Sequence, residues 1–184
     1  MIMRIIILNG AVSSGKTTIG KLLIEKLIHE GKDAVFFDLD DLVEKRSPDF
    51  KWDFDENKSR DWLDARKELA ELTNQHLHSK RIVVVVGPFF QKEEIEGFIK
   101  YVHPEAKIYL YTLTVPLEER LKRNRSRKYS NPDEDIAIQQ KEINNLSESY
   151  GANINNIRSQ LETVDDIVIS VENNIGELQL AEDI

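Results

Sequence analysis

Short apolar runs alternate with longer amphipathic stretches along the whole chain. Ile5 to Leu8, flanked by Arg4 and Asn9, is nearly continuous in apolar residues and predicts a fully buried strand. Residues 17–28 then place Ile19, Leu22, Leu23, Leu27 and Ile28 on one helical stripe. Gly31-Lys32-Asp33 ends that helix, and Ala34 to Phe37 predicts a second strand stopping at Asp38. A long helix is expected over about 57–79, with Trp62, Leu63, Leu69, Leu72 and Leu77 turned inward. Ile82 to Val86, all β-branched, is the strongest strand signal. A helix over Glu93 to Val102 and a fourth strand over Lys107 to Thr114 follow. Pro116 opens another helix, which becomes strongly basic near Arg127. Asn131-Pro132-Asp133-Glu134 starts the next, with Asn as cap, Pro at the first helical position and acids against the dipole. Tyr150-Gly151 breaks it, and a further short helix is expected before a fifth strand at Ile167 to Val171. Strongly apolar strands alternating with helices predict an α/β fold, a parallel sheet covered on both faces.

Composition narrows the setting. A chain of 184 residues suits one compact domain. A net charge of -8 argues against duplex nucleic acid as a partner, because neutralising phosphates needs a basic face. The absence of cysteine excludes disulfides and thiolate metal sites and fits a reducing, cytoplasmic setting. The apolar run at 5–8 is too short for a secretory leader, and no segment approaches the ~18 apolar residues of a membrane span.

The chemistry begins between the first strand and the first helix. Gly10-Ala11-Val12-Ser13-Ser14-Gly15-Lys16-Thr17 fits G-x-x-x-x-G-K-[ST], the phosphate-binding loop (Walker A) pattern. Strand, glycine loop and helix together aim backbone N–H groups and a helix N-terminus at polyphosphate. Gly10 and Gly15 permit the tight turn, Ser13, Ser14 and Thr18 complete the cradle, Lys16 meets the outer phosphates, and Thr17 can ligate magnesium. The pattern implies binding of a nucleoside triphosphate.

Two further clusters are candidates for catalysis. The third strand ends Val86-Gly87-Pro88-Phe89-Phe90, without the acid that many phosphate-loop proteins carry there. Carboxylates gather instead after the second strand, as Asp38, Asp40 and Asp41. If the chain stays extended, Asp38 and Asp40 point the same way, one organising magnesium and the other accepting the proton of an attacking hydroxyl. The competing reading is a helix cap for a helix starting near Leu42. The second cluster, Arg120 to Lys128, holds six cations in nine residues of an acidic protein. Arginines stabilise the charge that spreads over a transferring phosphoryl group, and a flat guanidinium stacks on adenine. A solvated helix face or a small RNA-binding patch is the alternative.

With these residues in view, the chain resembles the small-molecule kinases of the P-loop class: shikimate, gluconate and adenylylsulfate kinases, chloramphenicol phosphotransferases, and the kinase half of polynucleotide kinases. Gly10 to Thr18 carries the phosphate loop, and Asp38-Leu39-Asp40 is similar to the family's Asp-x-Asp. Arg120 to Arg127 is similar to the shikimate-kinase lid, and Asp61-Trp62-Leu63 to a gluconate-kinase stretch. The resemblance implies a five-stranded sheet in order 2-3-1-4-5, a mobile lid over about 120–132 and a substrate-binding region over about 41–66. It implies ATP and Mg2+ as cofactors, magnesium and hydroxyl activation at Asp38 and Asp40, adenine stacking by Arg123 and γ-phosphate contact by Arg127. Gly87-Pro88-Phe89-Phe90 departs from the glycine triplet of shikimate kinases, which argues against shikimate as acceptor.

The expected reaction is transfer of the γ-phosphoryl group of ATP to a hydroxyl or phosphate of a small molecule, by a monomer or homodimer. Acceptor specificity is assigned to Asp40, Trp52, Arg60, Trp62, Arg66 and Gly87: aromatics as a wall for a nucleoside, aromatic or antibiotic substrate, arginines as grips for an anion. Any one of the aromatics reads equally as core, and Arg60 with Asp64 as an i,i+4 pair. Alternatives are a nucleoside or nucleotide kinase, a polynucleotide 5′-end kinase, a zeta-type toxin kinase, and a nucleotide-gated switch. Against a GTPase switch, no Asn-Lys-x-Asp follows a late strand.

Overall fold

The computed structural model describes residues 3–46, 56–127, 130–147 and 150–179, without the side chains of 56–59 and 147. Five parallel strands are described: β1 (Arg4–Asn9), β2 (Ala34–Asp38), β3 (Ile82–Val86), β4 (Lys107–Thr114) and β5 (Ala152–Asn155). They run in the order β2-β3-β1-β4-β5. β1, β3 and β4 lie inside the sheet, which is why their sequences are apolar on both faces.

Successive residues serve opposite layers. Ile5, Ile7, Val83, Val85, Ile108 and Leu110 face a core shared with α2 (Leu39–Arg46), α3 (Glu56–His78) and α4 (Lys92–Ile99). Ile6, Leu8, Val84, Val86, Tyr109 and Tyr111 face α1 (Lys16–His29) and α7 (Gln160–Glu172). On α1 the buried residues are Lys16, Ile19, Gly20, Leu23 and Leu27, whereas Ile28 is exposed. Leu63 of α3 is exposed too, while Leu69 and Leu77 are buried. α5 (Leu117–Arg125) and α6 (Asp133–Ser147) lie between β4 and β5 in sequence and pack on each other.

The fifth strand is not where the sequence pattern put it. Ile167 to Val171 belongs to α7, and the strand is Ala152–Asn155, where a helix was expected. Val164, Ile167, Val168 and Val171 form a buried stripe at helical spacing, while Ile169 is exposed. Ser159 starts the helix with a reciprocal capping box: its hydroxyl accepts from Glu162 N–H, and the Glu162 carboxylate accepts from Ser159 N–H. β-Branched content suggested a strand, but cap and spacing decide for helix. After α7, Leu178 N–H donates to Ile108 O and Glu177 bridges Tyr109 antiparallel, so the C-terminal segment covers the part of β4 that β5 leaves open.

Candidate active site

The C-terminal ends of β1, β2 and β3 converge on one edge of the sheet, where ligands bind in open α/β folds. Between β1 and α1, Gly15 adopts a left-handed conformation (φ 94°), and a side chain there would collide with Asn156 Nδ2. Ser13 is left-handed as well (φ 62°), unusual for a residue with a Cβ. The hydroxyls of Ser13 and Ser14 are buried without a partner. Buried hydroxyls left unpaired are costly, and phosphate oxygens in this cradle would satisfy them. The loop therefore fits a polyphosphate.

Lys16 folds back over the loop, with Nζ donating to Ala11 O at 3.4 Å. Burial holds its ammonium below the usual lysine range; Asp40 and Asp38 oppose that shift, while Arg120 and Arg127 reinforce it. Four charges thus act on one buried nitrogen. Thr17 stands exposed at the mouth, its hydroxyl donating to Asp38 Oδ2 at 2.9 Å. Thr18 is exposed beside it. The Thr17–Asp38 pair is a set of hard oxygens beside the phosphate cradle, the donor chemistry that Mg2+ prefers.

The chain does not stay extended after Asp38. α2 begins at once with Leu39, so Asp40 lies on its first turn. Asp38 Oδ1 accepts from Asp40 N–H at 3.1 Å, so Asp38 caps a helix that starts at Leu39 rather than near Leu42. Each Asp38 oxygen accepts one hydrogen bond, and burial still raises its pKa. Asp40 differs: its Oδ1 is buried with no hydrogen-bond partner, and burial pushes its pKa up to about 6 against the attraction of Lys16. A carboxyl group with one buried, unpartnered oxygen and a raised pKa is a candidate to take a proton.

Gly87 opens the loop after β3. A Cβ there would meet Leu39 Cβ at 2.8 Å, so glycine lets this loop lie directly against the start of α2. Trp62 and Arg66 sit one turn apart on α3, and the Arg66 guanidinium lies 5.8 Å from the Trp62 ring centroid and 5.9 Å from that of Phe89. Arg66 also donates to the Glu94 carboxylate. Arg60 is exposed and, six residues earlier, lies on another face of the helix. Trp52 falls outside the described residues.

The basic segment divides by environment. Arg120 is 1 % exposed: Nε donates to Val12 O at 2.9 Å, and the guanidinium also reaches Gln140 and Ile136 O. It pins the phosphate loop to α6, where Gln139 accepts from Val12 N–H. Arg123 is half-buried, donating to Glu119 and to Asn156 O, with Nη1 about 4.0 Å from where a Gly15 side chain would begin. A cavity of about 270 Å³ lined by Thr114, Val115, Pro116, Asn155 and Ile157 opens next to this contact. A larger one, about 570 Å³, lies between α2 and α3 among charges such as the Arg46–Glu68 pair and contains none of the site residues. Arg127 is exposed, and its N–H donates to Asn124 O.

Three positioning residues carry no motif. Asn156, buried after β5, donates from Nδ2 to Ser14 O at 2.7 Å and accepts from Thr163 Oγ1. Asn9, fully buried, exchanges two hydrogen bonds with the backbone of Phe89, joining the phosphate loop to the Gly87 loop. Glu94 accepts from both Phe90 N–H and Gln91 N–H. A lone polar residue ending an apolar strand, as at Asn9, is the only sequence signal among them.

A family model described as an AAA domain matches residues 6–149, well over half of the chain. The chain belongs to that family. Its fold is the P-loop kinase fold. Shikimate kinase from Aquifex aeolicus superposes with a TM-score of 0.67 at 22% identity, covering 94% of this chain and 98% of that one. A gluconokinase from Sinorhizobium meliloti gives 0.65 at 16%, covering 92% of each. An APS kinase from Mycobacterium tuberculosis, in complex with AMPPNP and APS, gives 0.63 at 15%, covering 93% and 98%. No curated protein matches the sequence. Among the described residues, no helix is long and apolar enough to cross a membrane.

Proposed function

We propose that this protein is an ATP-dependent phosphotransferase acting on a hydroxyl group of a small molecule. The observation that carries the reading is Asp40, a half-buried carboxylate with one enclosed, unpartnered oxygen and a raised pKa, close enough to Lys16 for each to shift the other's pKa. A nucleotide switch has no use for such a group; hydroxyl activation does. Asp40 takes the proton of the acceptor hydroxyl as the new O–P bond forms and the γ-phosphoryl group leaves ADP. Lys16 and Arg127 would offset the charge on the transferring group, and Arg123 would stack on adenine. Thr17 and Asp38 would hold Mg2+, which supplies charge neutralisation between the outer phosphates.

The test is ADP formation from Mg-ATP in the presence of metabolite fractions, with transfer of the labelled γ-phosphoryl group to a small molecule as the expected outcome. Transfer to 5′-hydroxyl oligonucleotides alone would assign a polynucleotide kinase. Nucleotide binding with no transfer to any acceptor would leave the switch reading standing and this one refuted.

A further inference from the structure

A phosphate loop works by presenting backbone N–H groups, and in this one the loop's own residues do not fix them. Gly15 has a left-handed φ of 94°, and a glycine there lets the peptide before it turn over at little cost. What holds that peptide lies outside the loop. Asn156, directly after β5 and 4 % exposed, donates from Nδ2 to Ser14 O at 2.7 Å. A peptide unit is planar and trans, so its C=O and N–H point in opposite directions. With Ser14 O drawn onto Asn156, Gly15 N–H is turned away from Asn156. Among the described residues that N–H has no acceptor.

Asn156 is itself held at every polar atom. Its N–H donates to Thr114 O at 3.0 Å, its backbone O accepts from Arg123 at 3.1 Å, and Oδ1 accepts from Thr163 Oγ1 at 3.1 Å. Ser14 O can only accept, which sets Nδ2 toward the loop and Oδ1 toward Thr163. Thr163 is fully buried on α7, and its hydroxyl also lies 3.2 Å from Ser159 O. Amide and loop are in close contact: a Cβ on Gly15 would begin 2.6 Å from Asn156 Nδ2. A second peptide of the loop is set independently. Arg120 Nε donates to Val12 O at 2.9 Å, which by the same geometry turns Ser13 N–H away from Arg120. Ser13 N–H has no acceptor among the described residues either. Two side chains on different elements thus govern two N–H groups of one cradle.

We propose that Asn156, backed by Thr163, is a positioning residue that aims Gly15 N–H at a bound polyphosphate, while Arg120 separately aims Ser13 N–H. This rests on the polyphosphate-binding part of the proposed function and not on transfer. The full chain, isotope-labelled, is titrated with Mg2+ and inorganic tripolyphosphate, and the amide protons of Gly15 and Ser13 are followed by NMR. In the wild type both should move downfield, since each comes to donate to an anionic oxygen. Asn156→Leu is similar in size and has neither donor nor charge. There Gly15 should lose most of its movement and Ser13 keep it, and tripolyphosphate should bind roughly tenfold more weakly. Loss at both amides would mean a loop loosened as a whole. Loss at neither, or at Ser13 alone, would mean that other contacts aim the Gly15 peptide. Each of these patterns overturns the proposal, as does a wild-type Gly15 amide that does not move.

Should Asn156→Leu fail to fold, Thr163→Val takes its place. It keeps the volume and removes only the support behind the amide, so Gly15 should lose part of its movement and Ser13 none, with affinity down roughly threefold. An unchanged Gly15 response in folded Thr163→Val protein then overturns the proposal. Failure of the phosphotransferase reading shows differently, as absence of transfer to any acceptor with both amide responses intact.

Discussion

Replacing Asp40 by Asn should make the protein more stable and nearly inactive, and the two effects share one cause. Burial raises the Asp40 pKa from 3.8 to about 6, so ionising it in the folded protein costs more than in the unfolded chain. The gap of about 2 units corresponds to about 3 kcal/mol at most, and the attraction of Lys16 is already included in it. Partial contact with solvent reduces that figure, leaving about 1–3 kcal/mol. The sign follows from the raised pKa. Below pH ~4 Asp40 is protonated in both states and costs nothing; the penalty grows as pH rises to about 6 and is complete above it. Asn has no charge to bury, and Oδ1 of Asp40 has no hydrogen bond to lose. Asp40→Asn should therefore raise Tm by a few degrees at pH 8 and by almost nothing at pH 4. Turnover should fall by about 10²–10⁴, the usual worth of a general base. Wild-type kcat/KM should decline as pH drops below about 6, with the group that must be ionised. Calorimetric unfolding at the two pH values, beside steady-state kinetics, tests both. A variant no more stable at pH 8 than wild type would refute burial as the cause of the shift, and normal turnover would refute the role.

Lys16→Ala should abolish transfer and weaken Mg-ATP binding by several kcal/mol, read by calorimetric titration with ATP. Arg127→Ala should lower kcat far more than it raises KM for ATP, and Arg123→Ala the reverse; near-neutral kinetics in both would assign the segment to a solvated face. Arg120→Lys should cost about 2–4 kcal/mol in urea unfolding, because an ammonium cannot reach Val12 O, Gln140 and Ile136 O together from a site with 1 % exposure.

The parts of this molecule legible in the sequence are those in which local chemistry and fold agree. β1, β3 and β4 carry apolar residues on both faces because they lie inside a parallel sheet, so their runs read as strands almost to the residue. The phosphate loop reads clearly because its glycine, lysine and threonine positions are each required by backbone geometry or charge. β5 was illegible for the opposite reason. It has four residues, lies at the sheet edge, and contains two asparagines and a single buried apolar residue, Ile154. Its identity comes from pairing with Tyr111 to Thr114, a long-range fact. The α7 stripe beside it, rich in valine and isoleucine, drew the strand assignment instead.

The same division runs through the candidate site, and it explains why one arginine cluster contains opposite environments. Composition alone makes Arg120, Arg123 and Arg127 equivalent cations at helical or loop spacing. The fold separates them by distance from the phosphate loop. Arg120 lies beneath the loop and is consumed in holding Val12; burial lowers its pKa to about 10, still far above neutrality, so it stays charged as a fixed part of the wall. Arg123 is half-buried and tied through Asn156 O to the residue that also holds Ser14 O. Arg127 has its guanidinium in solvent, yet its charge is felt at Lys16. Restraint thus falls from Arg120 to Arg127 along two turns of chain. On the proposed reading that gradient is useful: a rigid cradle would fix the ground-state phosphates, while charge added late would favour the transition state over bound ATP. Exchanging the ends of the gradient, with Arg120 freed or Arg127 anchored, would retain the composition and lose the device.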